Sequence, residues 1–256
     1  VQEALRVLEE LAKLPGSKLP STDKYRHARF SLYTIEQELV LRITRRDKMS
    51  LVRGLCPILD TQALRGRSHL EVAEQIIKGG AKVIQLRDKV SLKRDLAPIA
   101  LALRKRCRES GCLFIMNDYL DLALATDADG LHVGQEDLPA REARRLLPLD
   151  KILGVSCQDV GKAVQAEKDG ADYIGHGAIF PTGSKEGAKA VGMSRLSEIK
   201  KAVSIPVIAI GGINHGNVAQ VIKAGADGVA VIGAILGAES PETATRELIK
   251  KVESGK

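Results

Sequence analysis

The sequence predicts an α/β fold, a (β/α)8 TIM barrel preceded by a small α-helical N-terminal segment, and three observations predict it. From about residue 55 onward, short apolar runs alternate with amphipathic helical stretches. Eight such runs fit into the remaining chain, and Gly-Ala-Asp turns recur after the helical stretches, as right-handed parallel crossovers require. Finally, the apolar residues are mostly Val, Ile, Leu and Ala, with aromatics at 3 % and no Trp, which suits a parallel sheet buried on both faces.

Taken in order, the first element is "VQEALRVLEELAKL", which places Leu5, Leu8, Leu11 and Ala12 at helical spacing. "PGSKLPSTD" breaks it, and Ser21, Thr22 or Asp23 can cap the next helix. A second helical run over about 25–45 carries Phe30, Leu32, Ile35, Leu39 and Leu41. The two make a helical hairpin that would be marginal alone. "TRRDKMS" is expected as the linker, dividing the chain into a helical extension, 1–50, and a barrel, 51–256. The barrel strands are then "LCPIL", "KVIQL", "LFIM", "GLHV", "ILGV", "YIGHG", "PVIAI" and "GVAVI". Helical stretches such as "HLEVAEQIIKGG", "LAPIALALRKRCRES", "VGKAVQAEKDG" and "NVAQVIKAGA" separate them, and "PETATRELIKKVE" closes the chain. A doubly wound open sheet is the runner-up, but no G-x-G-x-x-G follows a first strand.

Composition narrows the function. Apolar residues make up 44 % of the 256, enough for a sizeable core, and the net charge of +7 is spread along the chain. That suits phosphorylated or otherwise anionic small molecules and does not call for nucleic acid as a partner. The basic "ALRKRCRES" run reads as a solvated helix face. Cys56, Cys107, Cys112 and Cys157 show neither C-x-x-C spacing nor a zinc-like His interval, so no disulfide framework or zinc site is expected. With no signal-like segment and no run of about 18 apolar residues, a cytoplasmic protein without a membrane partner is expected.

Barrel chemistry sits at the C-terminal strand ends, and here those ends are polar. Strand two delivers Gln85, Arg87 and Lys89; strand three, Asn117 and Asp118; strand four, Gln135, Glu136 and Asp137. Ser156 follows strand five, and Thr182, Ser184 and Lys185 follow strand six. Strand seven ends in Gly211 and Gly212, and strand eight in Ile232 and Gly233. The loops after strands seven and eight are where barrels often bind phosphate through backbone N–H groups, although these glycines also suit plain tight turns. Asp118 and Asp137 are hard oxygen ligands of the kind Mg2+ prefers, with water and phosphate oxygens completing its shell. Arg87, Lys89 and Lys185 add positive charge for a diphosphate. Singly each is an ordinary surface ion-pair residue; together, at one end of consecutive strands, they read as a site. Strand alternation turns Gln85, Arg87 and Lys89 into the mouth and Leu86 and Asp88 away from it, leaving Asp88 as an orienter of neighbouring cations. His132 and His176 read as hydrogen-bonded core residues, and His27, His69 and His215 belong to no constellation.

The motifs "QLRDK", "NDYLDLAL", "ADGLHVGQEDLP", "LGVSC", "GAIFPTGSKEG", "PVIAIGGI" and "GADGVAVI" occur in an order and spacing that resembles the thiamine phosphate synthase family, over about residues 55–253. The resemblance implies that a pyrimidine diphosphate and a thiazole phosphate are joined, with release of pyrophosphate and with Mg2+ as cofactor. It implies that Gln85, Arg87, Lys89, Asn117 and Lys185 hold the pyrimidine diphosphate, with Leu86 and Asp88 in the same binding segment. Asp118 and Asp137 would carry Mg2+, and Ser156 would lie by the pyrimidine and leaving group. Thr182, Gly183 and Ser184 would face the thiazole phosphate, and Gly212, Ile232 and Gly233 would bind it through backbone N–H groups. Arg87, Lys89, Ser156 and Lys185 are the implied catalytic residues. Departures are modest: Asp88 stands where Glu is common, Ser184 where Thr is common and Ala178 where Pro is common, and Gly233 lacks a hydroxyl often found there.

The nearest rival is the related thiazole tautomerase. Its catalytic His would fall on Gln158, which cannot act as a general acid or base. For residues 1–50, a binding module making the chain bifunctional is the second reading. A packing or dimerisation role, with a homo-oligomer as its consequence, is preferred, because no base-reading motif is present.

Overall fold

A computed structural model describes residues 1–183 and 190–255. The chain divides into two compact units, Val1–Arg46 and Asp47–Lys256. Within the first, α1 (Gln2–Leu11) is followed by most of α2 (Thr22–Val52). Gln2 bonds to Glu36, while Glu9 meets Arg26 at 3.3 Å and Arg29 at 3.0 Å, so the two helices run antiparallel. Glu9 is the buried residue of α1, and its charge is met by two guanidinium groups.

"TRRDKMS" is helical where a linker was expected. It contains neither Gly nor Pro, so nothing in it stops the helix that precedes it. Its last turns belong to the second unit: Val52 is 1 % exposed, and Met49 and Leu51 pack with it against the residues inside the barrel. Lys48 anchors the same turns, meeting Asp129 at 3.3 Å and Asp150 at 3.4 Å.

The second unit is a closed barrel of eight parallel strands in sequential order. The strands are β1 (Leu55–Asp60), β2 (Val83–Arg87), β3 (Leu113–Asn117), β4 (Gly130–Val133), β5 (Ile152–Cys157), β6 (Tyr173–His176), β7 (Val207–Ile210) and β8 (Gly228–Val231). Helices α3 (Thr61–Leu64) and α4 (His69–Lys78) follow β1, α5 (Lys93–Glu109) follows β2, and α6 (Leu120–Ala125) follows β3. The outer ring continues with α7 (Ala140–Leu146), α8 (Val160–Lys168), α9 (Gly192–Ala202), α10 (Val218–Lys223), α11 (Gly233–Leu236) and α12 (Pro241–Ser254).

Strand alternation separates two apolar layers. Ile84, Leu86, Phe114, Met116, Leu131, Leu153 and Val229 face outward and pack beneath the helices. Cys56, Ile58, Val83, Leu113, Ile115, Ile152, Tyr173, Ile208 and Ala230 face the barrel axis. Further along the strands, toward their C-terminal ends, the inward positions become polar: Asp60, Gln85, Arg87, Asn117, His132 and Ser156. A packed apolar floor thus carries a polar mouth. The basic run of α5 is more structural than a solvated face: Arg104 meets Asp127 at 3.3 Å and Asp129 at 3.1 Å, and Arg106 meets Glu74 at 2.7 Å.

Candidate active site at the barrel mouth

β2 projects its inward side chains in order of polarity, from Val83 through Gln85 to Arg87. Gln85 is 4 % exposed and points toward the Tyr173 hydroxyl across the barrel. Arg87 lies opposite Asp60 in the β1–β2 register, and its guanidinium is ion-paired to the Asp60 carboxylate. Asp60 also caps α3, accepting from the Ala63 N–H at 3.0 Å. Lys89, half-exposed beyond the strand end, pairs with Asp118.

Leu86 and Asp88 take other places. The Leu86 side chain is fully buried in the outer layer, so the structure does not bring it to the mouth. Asp88 does not orient the neighbouring cations: its carboxylate is engaged elsewhere. It accepts from the N–H groups of Val90 and Ser91, at 2.8 and 2.7 Å, and from the Thr61 hydroxyl at 2.7 Å. Burial pushes the Asp88 carboxyl up, but the bonds from Ser91, Thr61 and Val90 outweigh it and hold the group below the usual carboxylate range. Asp88 therefore orders the turn that carries Lys89, and the orienters of the cations are Asp60 and Asp118. His69, assigned to no constellation, lies 2.9 Å from the same Thr61 hydroxyl and completes that brace.

Asn117 closes β3 opposite His132 and is 7 % exposed. Asp118 follows in the left-handed region, φ 63°, with its N–H bonded to the His132 carbonyl at 2.8 Å. This unusual backbone turns its carboxyl against that of Asp137, which accepts from the Gly134 N–H at 2.7 Å. Burial, and then the neighbouring Asp137, push the Asp118 carboxyl up to about 6, with Lys89 opposing the rise. Two carboxyls that share a buried spot in this way provide a hard, doubly anionic donor pair once deprotonated. Among the described residues no group of three or more His, Cys, Asp or Glu gathers for a metal. Two carboxylates suffice for Mg2+, which keeps several waters and takes its other ligands from phosphates.

Opposite, Gly211 and Gly212 turn after β7 with φ of 97° and 65°. A Cβ on Gly212 would lie 2.6 Å from the Pro181 carbonyl, so the loop after β6 packs directly on this turn and only glycine fits. Asn217 fixes the turn by donating to the Gly212 carbonyl at 2.9 Å. Gly233 is the first residue of α11, preceded by Ile232 as its cap, and nothing lies within 4 Å of where its Cβ would be. Thr182 and Gly183 stand beside Pro181 on the loop after β6. Ser184 and Lys185 lie outside the described residues.

Two residues outside the predicted strand-end series stand out. Asp60 closes β1, one strand before the series that the sequence marks from β2 onward. Tyr173 opens "YIGHG" and reads as part of the wall, but its hydroxyl lies 2.9 Å from His132 Nδ1.

Comparison with known proteins agrees with this architecture. The family model described as thiamine monophosphate synthase matches residues 55–235. A thiamine-phosphate synthase from Moorella thermoacetica is 50% identical over 192 residues, spanning 75% of this chain and 91% of that protein. One from Thermosynechococcus vestitus is 40% identical over 255 residues, 100% of this chain and 71% of that protein, so its similarity includes the N-terminal helices. A solved thiamine phosphate pyrophosphorylase from Pyrococcus furiosus superposes with a TM-score of 0.73 at 41% identity, covering 79% of this chain and 96% of that one.

Proposed function

The chain belongs to the thiamine monophosphate synthase family, a transferase of thiamine biosynthesis, and from that premise we propose how its barrel mouth carries out the reaction. A pyrimidine diphosphate, 4-amino-5-hydroxymethyl-2-methylpyrimidine diphosphate, is joined to a thiazole phosphate, giving thiamine phosphate and pyrophosphate. The observation that carries this reading is the meeting of Lys89 with the carboxyl pair Asp118 and Asp137, beside an Arg87 that Asp60 holds at the same strand end.

Asp118 and Asp137 hold Mg2+, which when bound neutralises charge on the diphosphate. Arg87, Lys89 and Lys185 take the remaining phosphate charge, Arg87 as a planar fork already aimed by Asp60. Cleavage of the C–O bond leaves negative charge on the departing diphosphate, where these groups stabilise it as it develops. Gln85 and Asn117 hold the pyrimidine, and Ser156 lies beside it and the leaving group. The thiazole phosphate is received by the backbone N–H groups of Gly212, Ile232 and Gly233, with Thr182, Gly183 and Ser184 facing it. No protein nucleophile is needed: the thiazole nitrogen attacks, and the protein holds it in line.

Incubation with both phosphorylated precursors, with and without Mg2+, tests the reading. Thiamine phosphate and pyrophosphate are expected only with the metal. The tautomerase rival would release no pyrophosphate, and its general acid–base position is occupied here by the exposed Gln158. Asp118→Ala and Lys185→Ala are expected to remove turnover while leaving the melting transition in place; full turnover in both would sink the assignment.

A further inference from the structure

We propose that Tyr173 and His132 are positioning residues: they form a directed hydrogen-bond chain inside the barrel that holds the Ser156 hydroxyl as a donor into the mouth. The inference rests on the reaction proposed above, and deepens it by giving Ser156 a direction.

The geometry is continuous. Gln85 lies beside the Tyr173 hydroxyl at the inner end. That hydroxyl lies 2.9 Å from His132 Nδ1, and His132 Nε2 lies 2.9 Å from Ser156 Oγ. Gln85 and Tyr173 are 4 % and 3 % exposed, so water has little access to the lower half of the chain. The barrel makes room for it with glycine. A Cβ on Gly154 would fall 2.1 Å from Tyr173 Cζ and 2.5 Å from His132 Nδ1, and one on Gly175 would fall 2.9 Å from His132 Cε1. Two inward positions in the middle of adjacent strands, β5 and β6, therefore lack side chains where the phenol and imidazole need the space.

Donor and acceptor chemistry sets the direction. A phenol is a good donor and an imidazole nitrogen a good acceptor, so Tyr173 donates to Nδ1. Burial, the largest influence on it, pushes the Tyr173 phenol well above its ordinary value and keeps that proton in place. With Nδ1 accepting, Nε2 carries the imidazole proton and donates to Ser156 Oγ. The serine oxygen is then occupied as an acceptor, and its own O–H is released toward the mouth, where negative charge develops on the leaving group. Chains of this kind polarise along their length.

The test is a double-mutant cycle with a spectroscopic arm. Tyr173→Phe is expected to lower kcat about tenfold, the scale of one hydrogen bond, with both KM values unchanged. In the Ser156→Ala background the same substitution should cause no further loss, because there is no hydroxyl left to direct. His132→Gln, whose amide nitrogen can reach the Nε2 position, should retain more turnover than His132→Leu, and this comparison decides the matter if Tyr173→Phe does not fold. In 15N NMR of the unsubstituted chain, His132 should carry its proton on Nε2. An equal loss in both serine backgrounds, or a neutral Nδ1–H imidazole, overturns the proposal. If the unsubstituted chain makes no thiamine phosphate, the proposed reaction falls and the NMR arm still decides the direction of the chain.

Discussion

At the scale of single residues, the mouth is organised by carboxylates that hold cations ready. Arg87 would be free to swing without Asp60, whose carboxylate is 6 % exposed and locks the guanidinium at the strand end. Asp60→Asn separates the two tasks of this residue, because Asn caps a helix as well as Asp does and so preserves α3. The loss then falls on Arg87 alone. Turnover is expected to drop up to about 100-fold, as small misplacements of a positioning group do, with thermal stability nearly unchanged. Steady-state kinetics beside a melting curve checks this.

The Asp118–Asp137 pair makes a second residue-scale prediction. Burial and the neighbouring Asp137 raise the Asp118 carboxyl to about 6, so below that pH a proton must leave before a divalent cation binds. Mg2+ affinity should rise about tenfold per pH unit up to about pH 6 and level off above it. The sign for stability in the absence of Mg2+ comes from the same shift. A carboxyl raised above its unfolded value contributes fully when protonated, and that contribution fades as pH climbs from the ordinary carboxylate range through about 6. Calorimetric titration of Mg2+ at several pH values would show the slope, and a pH-independent affinity would contradict it.

At the scale of elements, alternation along β2 decides which parts of "QLRDK" can reach a ligand. Leu86 lies between two mouth residues in sequence yet is fully buried under the helices. Leu86→Ala should cost about 2–5 kcal/mol of stability, as core truncations do, with KM for either substrate unaltered at temperatures where the variant is folded. Chemical denaturation alongside kinetics separates those effects. Much of this element was legible in the amino-acid order: period-two alternation put Gln85, Arg87 and Lys89 on one side. The partners of the side chains were not, because a strand's neighbours are set by register. Nothing near residue 88 says that Thr61, itself met by His69, will meet Asp88, since both arrive from the connection after β1. The helix through "TRRDKMS" has a related cause. Its polar composition resembles a linker, but local helix propensity and the apolar Met49, Leu51 and Val52 carry the helix through to the barrel.

At the scale of the whole molecule, the barrel unit has a core of its own, with an inner layer closed by residues 49–52 and an outer layer under the helices. A chain limited to residues 47–256 is therefore expected to fold and to make thiamine phosphate at the rate of the full chain. A marked drop in that assay would assign the N-terminal helices a part in the reaction.

The order of residues alone determined the eight strands and which polar and charged side chains stand at their C-terminal ends. It could do so because both signals are local: hydrophobic periodicity marks strands and helices, and the last residues of parallel strands all face one end. Only the tertiary structure decided who holds whom. Asp60 restrains Arg87, Thr61 meets Asp88 beneath the Lys89 turn, and Tyr173 reaches His132 through space left by Gly154. Each of these pairs joins residues at least 27 positions apart in the chain, and contacts at such separations exist only after the barrel has closed.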